Sequence, residues 1–252
     1  MTFEVAGEAY DRFMGRYSRP LAAGFADWLE VSAGQCAIDV GCGPGALTGV
    51  LVDRVGADHV AAVDPSTAFV ESCRERHPGV DVRQGVAESL PHDADTFDVA
   101  AACLVVHFMS DPAAGVSEMA RVTRAGGRVG ATVWDLAGAR APMWPVWAEL
   151  SEIAPETEGE TGLPGGSEGE LVEILQGAGL RDVEAVELPV TVTHPTFDEW
   201  WKPYLHGVGP IGEAVAALDP ARRTRLEECL RERLGEGPFE LTAVAYAARG
   251  RA

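Results

Sequence analysis

Cysteine, positive charge and long apolar runs are all scarce in this sequence. The five cysteines, Cys36, Cys42, Cys73, Cys103 and Cys229, are an odd set with no C-x-x-C spacing. That excludes a fully paired disulfide framework and a zinc knuckle, and suggests free thiols in a reducing compartment. Bases number 20 against 39 acids, for a net charge of −19. Such a surface repels phosphate backbones and anionic lipid, which argues against nucleic acid or a membrane as partner. No apolar run approaches the ~20 residues of a membrane span. The opening MTFEVAGEAYDRFMGRYSRP carries acids and no apolar stretch, unlike a secretory leader. A cytoplasmic location is expected. No His, Asp or Glu spacing resembles a metal site.

Against these absences stands a chain of 252 residues with 46% hydrophobic content, enough for a sizeable core. Short β-branched runs alternate with amphipathic stretches, the pattern of βαβ units around a parallel sheet. The runs at Cys36–Val40, His59–Val63, Val80–Gln84, Asp98–Val105, Gly127–Trp134, Asp182–Val190 and Phe239–Ala248 read as strands. A helix is expected from Ala46 to Val55 and another after Ser66. Asp111-Pro112 and Asp219-Pro220 read as N-caps followed by proline at the first helical position. Ser167 with Glu170, and Thr196 with Glu199, have capping-box spacing. Residues 1–32 read as a helical arm, and the Gly-, Pro- and Glu-rich second half of 137–166 as a mobile, solvated loop.

The most informative stretch is AIDVGCGPGALT, residues 37–48: a buried strand, a glycine turn, then a helix. Gly41, Gly43 and Gly45 admit close approach of a ligand to the backbone. The spacing also fits the loose dinucleotide fingerprint. Asp39 discriminates, because a carboxylate two residues before the first glycine would repel a pyrophosphate. A cationic ligand tolerates it, and S-adenosylmethionine, with its sulfonium and ammonium, is one. Asp64 ends the next strand, where an acid ~20 residues past the glycines accepts from ribose hydroxyls.

DVGCGPGALT, AAVDPS, GVAESLPHDADTFDVA and EMARVTRAGGRV, taken in order, resemble the successive motifs of class I S-adenosylmethionine-dependent methyltransferases. The likeness is to small-molecule enzymes of the methyltransferase type 11 and ubiquinone-biosynthesis kind, and covers roughly residues 35–134. It implies methyl transfer to an O, N or C atom of a small molecule, with S-adenosylhomocysteine as product. It also implies a Rossmann-like α/β fold: a seven-stranded, mostly parallel sheet with helices on both faces, an antiparallel last strand at the edge, and a small helical cap. One domain is expected over 1–252, with the arm at 1–32 and a cofactor-binding core at 33–136. Cap insertions with the sixth strand take 137–218, and the last helix and edge strand 219–252.

The resemblance assigns Asp39, Gly41, Cys42 and Gly43 to the methionine end of the cofactor, Asp64 and Pro65 to the ribose and adenine, Ala87 and Glu88 to the adenine edge, and Leu104 to the end of the fourth strand. Val86 departs from the pattern, which has an acid there. Tyr10, Arg16 and Tyr17 on the arm are candidates to cover the cofactor; Arg16 either pairs with its carboxylate or lies on a surface helix. His107 is either the proton acceptor or a pocket wall. Trp134, Trp144, Trp147, Trp201 and Tyr204 are candidates for an aromatic acceptor pocket, or core anchors. A non-methylating, cyclase-like enzyme on the same scaffold, an NAD oxidoreductase and a ligand-sensing or partner-binding module are the alternatives. Monomer and homodimer are both compatible with the sequence.

Overall fold

A computed structural model describes residues 11–252. The sheet is built from β1 (Ala37–Val40), β2 (Val60–Asp64), β3 (Asp81–Gln84), β4 (Phe97–Cys103), β5 (Thr123–Trp134), β6 (Arg181–His194) and β7 (Phe239–Arg251). Their order across the sheet is β3-β2-β1-β4-β5-β7-β6. β1 pairs in parallel with β2 and β4, and β2 with β3 and β4 with β5 likewise. The direction of connection reverses beside β1, so its carboxyl end opens into a crevice.

Seven strands and an antiparallel β7 agree with the sequence reading, but β7 is not the edge strand. It runs antiparallel between β5 and β6, and β6 takes the edge. The residues explain this. β7 is alanine-rich, with Ala243, Ala245, Ala247 and Ala248 buried between neighbours on both sides. β6 carries Asp182, Glu184, Glu187 and Pro189, the charges and proline that blunt an exposed edge.

Alternate residues of the buried strands face opposite sides of the sheet. Ile38, Val40, Ala100 and Ala102 join a cluster with Val116, Met119, Leu171 and Leu175, from α4 (Pro112–Val122) and α6 (Glu170–Gly177). Ala37, Val99 and Ala101 join Phe25 of α1 (Arg16–Trp28), its C-cap Leu29, and Leu47 and Leu51 of α2 (Ala46–Val55). Helices therefore cover both faces. α3 (Thr67–Arg76) packs Val70 and Cys73 on Ala62 and Val82, and its N-cap Ser66 accepts from the Phe69 N–H.

The expected Asp111 cap holds, its side chain accepting from the Ala114 N–H at 3.0 Å, and Asp219 does the same for Arg222 at the start of α9 (Pro220–Leu234). Thr196 caps α7 (Phe197–Trp201). At α6 the N-cap is Gly169, and only half the expected box forms: the Glu170 carboxylate accepts from the Ser167 N–H at 3.3 Å. The cap comprises α5 (Trp144–Ile153), α7, α8 (Gly209–Ala217) and α9, the last packing against α5. Residues 154–169 form turns pinned to the body, Gly166 O accepting from the N–H groups of Leu136 and Ala137.

Candidate functional site

The carboxyl ends of β1, β2 and β4 surround a cleft of about 310 Å³, within the range of small-molecule sites. The glycine turn forms its floor. Gly41 has φ +74° and Gly43 φ +53°, the left-handed region that side chains resist. A Cβ on Gly41 would stand 2.5 Å from both methyls of Val105, so glycine lets the turn approach the end of β4. A Cβ on Gly43 would meet nothing within 4 Å. Gly41 and Cys42 both donate to Val63 O, at 2.7 and 3.0 Å, which ties the turn to β2. Ala46 and Leu47, in the first turn of α2, also line the cleft.

Two acids face it. Asp64 accepts from the Gly43 N–H and the Ser66 N–H, both at 2.9 Å, so it ties the turn to the start of α3. A carboxylate so bonded keeps lone pairs for further donors. Asp39 is 1% exposed; one oxygen accepts from the Thr48 hydroxyl at 2.6 Å, and Oδ1 has no partner among the described residues. Burial, with the nearby Asp64 charge adding to it, pushes its pKa up to about 7, against the opposing Thr48 bond. A buried carboxyl held between charge states with one open oxygen suits a cation.

Leu104 closes the far wall at φ +63°, a strained conformation for leucine, with its N–H bonded to Thr132 O and Oγ1. Leu104 and Phe108 line both the cleft and an inner pocket of about 40 Å³, walled also by Phe13, Trp134, Met143 and Ile211. Leu136 and Glu160 separate that pocket from an outer cavity of about 220 Å³ beside Trp144 and Trp147. The three cavities thus share walls in series.

Asp39, Gly41, Cys42, Gly43, Asp64, Pro65 and Leu104 come together around the cleft as the sequence anticipates. Ala87 and Glu88 do not line it. The Glu88 carboxylate turns to the N–H groups of Ser110 and Asp111, at 2.7 and 3.1 Å, Ala87 is buried in the core, and Val86 is 46% exposed. Arg16 and Tyr17 also lie elsewhere: both bond His194, at 3.0 and 2.7 Å. Among the described residues, the arm residue that faces the cleft is Ser18, and its buried hydroxyl has no partner among them. It is one step further round the helix, a difference no sequence spacing of the arm resolves. Tyr10 lies outside the described residues.

On the acceptor side, Trp134 lines the inner pocket and Trp144 and Trp147 the outer one. Trp201 and Tyr204 belong to the cap's aromatic core instead, stacked on each other at 5.9 Å, because α7 turns Trp201 onto Phe197 and the 3-10 turn Lys202–His206 that follows it turns Tyr204 toward Phe13 and Trp200. His107 lines the inner pocket, but burial pushes its pKa down to about 3, and Nδ1 has no partner among the described residues. An imidazole that resists protonation is a poor proton acceptor, so the geometry favours the wall reading. Sequence reasoning missed Glu160, because its Glu-rich surroundings read as a solvated loop. Glu160 is 6% exposed and accepts from the Trp147 indole N–H at 2.7 Å.

A family model described as a methyltransferase domain matches residues 38–130, the span of β1 through the middle of β5. That match takes in the strand, the glycine turn and the two acids that build the cleft. An uncharacterized methyltransferase of Mycobacterium bovis is 39% identical over 135 residues, 54% of this chain and 52% of its own length. The chain therefore spans about half the length of that curated relative. Nocamycin O-methyltransferase of Saccharothrix syringae is 28% identical over 220 residues, covering 78% of this chain and 77% of its own. Geranyl diphosphate methyltransferase, solved in complex with S-adenosylmethionine, superposes with a TM-score of 0.53 at 20% identity, covering 94% of this chain and 87% of its own; at that identity it bears on the fold alone. Among the described residues no helix is long and apolar enough to cross a membrane.

Proposed function

We propose that this protein transfers the methyl group of S-adenosylmethionine to an O, N or C atom of a small, largely apolar molecule. The observation that carries the reading is Asp39: a buried acid under a glycine turn, with an unpartnered oxygen in a cleft that adjoins an apolar pocket. The residues fit this cofactor. Asp39 suits the ammonium, Asp64 suits the ribose hydroxyls, and Pro65 and Phe69 offer apolar surface to the adenine. When bound, the sulfonium supplies an activated methyl group and leaves as S-adenosylhomocysteine. The chain's own part is to hold both molecules in line and exclude water. Methyltransferase relatives such as the nocamycin enzyme support a small-molecule acceptor. The net charge of −19 supports a partner list without nucleic acid or membrane. The free thiols fit a reducing compartment such as the cytoplasm.

Calorimetric titration with S-adenosylmethionine and S-adenosylhomocysteine, with NADH as control, tests the reading. Micromolar binding of the first two and none of NADH is the expected result. Absence of binding by either S-adenosyl compound overturns it, and tight NADH binding revives the oxidoreductase alternative.

A further inference from the structure

The inner pocket and the outer cavity together present apolar walls from Phe13, Leu136, Met143, Trp144 and Leu150, and few polar groups. Among the described residues, two ionisable side chains reach these linings, His107 and Glu160. Glu160 alone belongs to both cavities with a carboxyl. One of its oxygens is fixed by the Trp147 indole, itself part of the outer wall. No protein hydrogen bond to the other oxygen exists among the described residues. That oxygen is not fully buried, so a ligand or water in the cavities that Glu160 lines can bond it. The position is held firmly: α5 carries Trp147, and the Leu163 N–H donates to Glu160 O at 3.1 Å.

We infer that Glu160 receives the hydrogen bond of an acceptor hydroxyl, so that the acceptor is a neutral, ring-sized apolar alcohol or phenol lying from the outer cavity toward the cleft. This deepens the methyltransferase reading and rests on it. A cationic acceptor would pair with the carboxylate but must shed its hydration to enter these apolar cavities, a cost that a neutral hydroxyl does not carry. As the acceptor oxygen bonds the methyl carbon, the carbon–sulfur pair goes to sulfur, the O–H bond breaks, and its proton passes to the Glu160 carboxylate and then to water. Burial raises the pKa of Glu160, which makes it a better base than an ordinary carboxylate and places it opposite to His107 in this respect.

The test uses 2-naphthol, 2-methylnaphthalene and 2-naphthylmethylamine as probes, read by quenching of tryptophan fluorescence in the full-length protein with and without S-adenosylhomocysteine. Wild type should bind the naphthol at least tenfold more tightly than the hydrocarbon, and the cationic amine no better than the hydrocarbon. Glu160→Leu should bring naphthol and hydrocarbon within about twofold. Glu160→Gln, which can keep the Trp147 bond, controls for folding and should lose most of the naphthol preference. Calorimetry of S-adenosylhomocysteine on each variant verifies the cofactor site separately. Equal binding of naphthol and hydrocarbon by wild type, a preference retained in both variants, stronger binding of the amine, or no binding of any probe each overturn the inference. Failure of S-adenosylhomocysteine to bind wild type overturns the functional reading instead, and the cofactor-free titrations keep the two failures apart.

Discussion

The cleft at the glycine turn and the cap pockets adjoin at Leu104 and Phe108, yet they are assembled in different ways. The cleft comes largely from two contiguous stretches, 39–47 and 64–69, and its shape is set by backbone: positive φ at Gly41 and Gly43, and N–H groups bonded to Asp64 and Val63. The cap pockets come from segments far apart in sequence, from Phe13 to Ile211, and their character lies in side chains. A locally encoded site survives changes in distant packing, whereas a site made of distant side chains depends on every helix that carries one. The two should therefore fail independently.

The largest expected effect breaks the cap and spares the cleft. Phe197 is fully buried, packed by Trp200 and Trp201 and covered by the Arg231 guanidinium at 4.3 Å. Phe197→Ala should cost about 3–5 kcal/mol, a fall in Tm of about 10 °C in a chain of this size. Affinity for S-adenosylhomocysteine, measured below the new transition, should stay within about threefold. A parallel loss of affinity would show that the regions are one cooperative unit.

Asp39→Asn should do the reverse. Removing the charge facing a buried cation should weaken S-adenosylmethionine binding about 100-fold, close to 3 kcal/mol. Asparagine keeps an acceptor for Thr48. Stability should not fall. A carboxyl whose folded pKa is about 7 contributes stability that is complete below its unfolded value near 4 and lost as pH rises through 7. The variant lacks that loss, so relative to wild type it should gain stability between pH 4 and 8 in denaturant melts. Weaker binding together with lower stability at pH 8 would count against this role.

The same linkage yields a smaller effect on binding itself. Below pH 7 the free protein holds a proton on Asp39, and an ammonium ligand requires the carboxylate. Binding of S-adenosylmethionine near pH 6 should therefore release up to about one proton, and affinity should rise from pH 5 to 7. Calorimetry in buffers of different ionisation enthalpy counts the proton. Asp39→Asn should release none.

The contrast between the two regions also explains what the sequence made legible. Ala46–Val55 forms the expected helix end to end, and Asp111 and Asp219 cap where expected, because these are signals carried within a few residues. The place of β7 was not legible from periodicity, which marks a strand but not its neighbours. The alanines of β7 and the acids of β6 were nonetheless a cue to which of the two is interior. The chemistry of Arg16 and Tyr17 makes them candidates to cover the cofactor, but the helix phase gives the cleft-facing side to Ser18 and turns the pair onto His194. Glu160 was hidden because acid-rich composition suggests solvent, and only the tertiary approach of Trp147 buries it.

The smallest effect compares two unpartnered polar atoms across the shared wall. Asp39 Oδ1 and His107 Nδ1 are both buried without a hydrogen bond among the described residues. The first belongs to a carboxyl poised to charge near neutral pH; the second belongs to an imidazole that burial keeps neutral down to about pH 3. Replacing an unsatisfied buried polar group by an apolar one of similar size is close to neutral or stabilising. His107→Leu should thus leave Tm unchanged or raise it by about 2–3 °C, in line with about 1 kcal/mol for a chain of this length. Cofactor affinity should not change, and methyl transfer to the acceptor should fall less than tenfold. Loss of a general base costs 10²–10⁴-fold, so a fall of that size in kcat with an unchanged melting curve would return the proton-accepting role to His107. Equal tolerance at Asp39 would instead erase the distinction between an open atom that waits for a ligand and one that the packing merely leaves over.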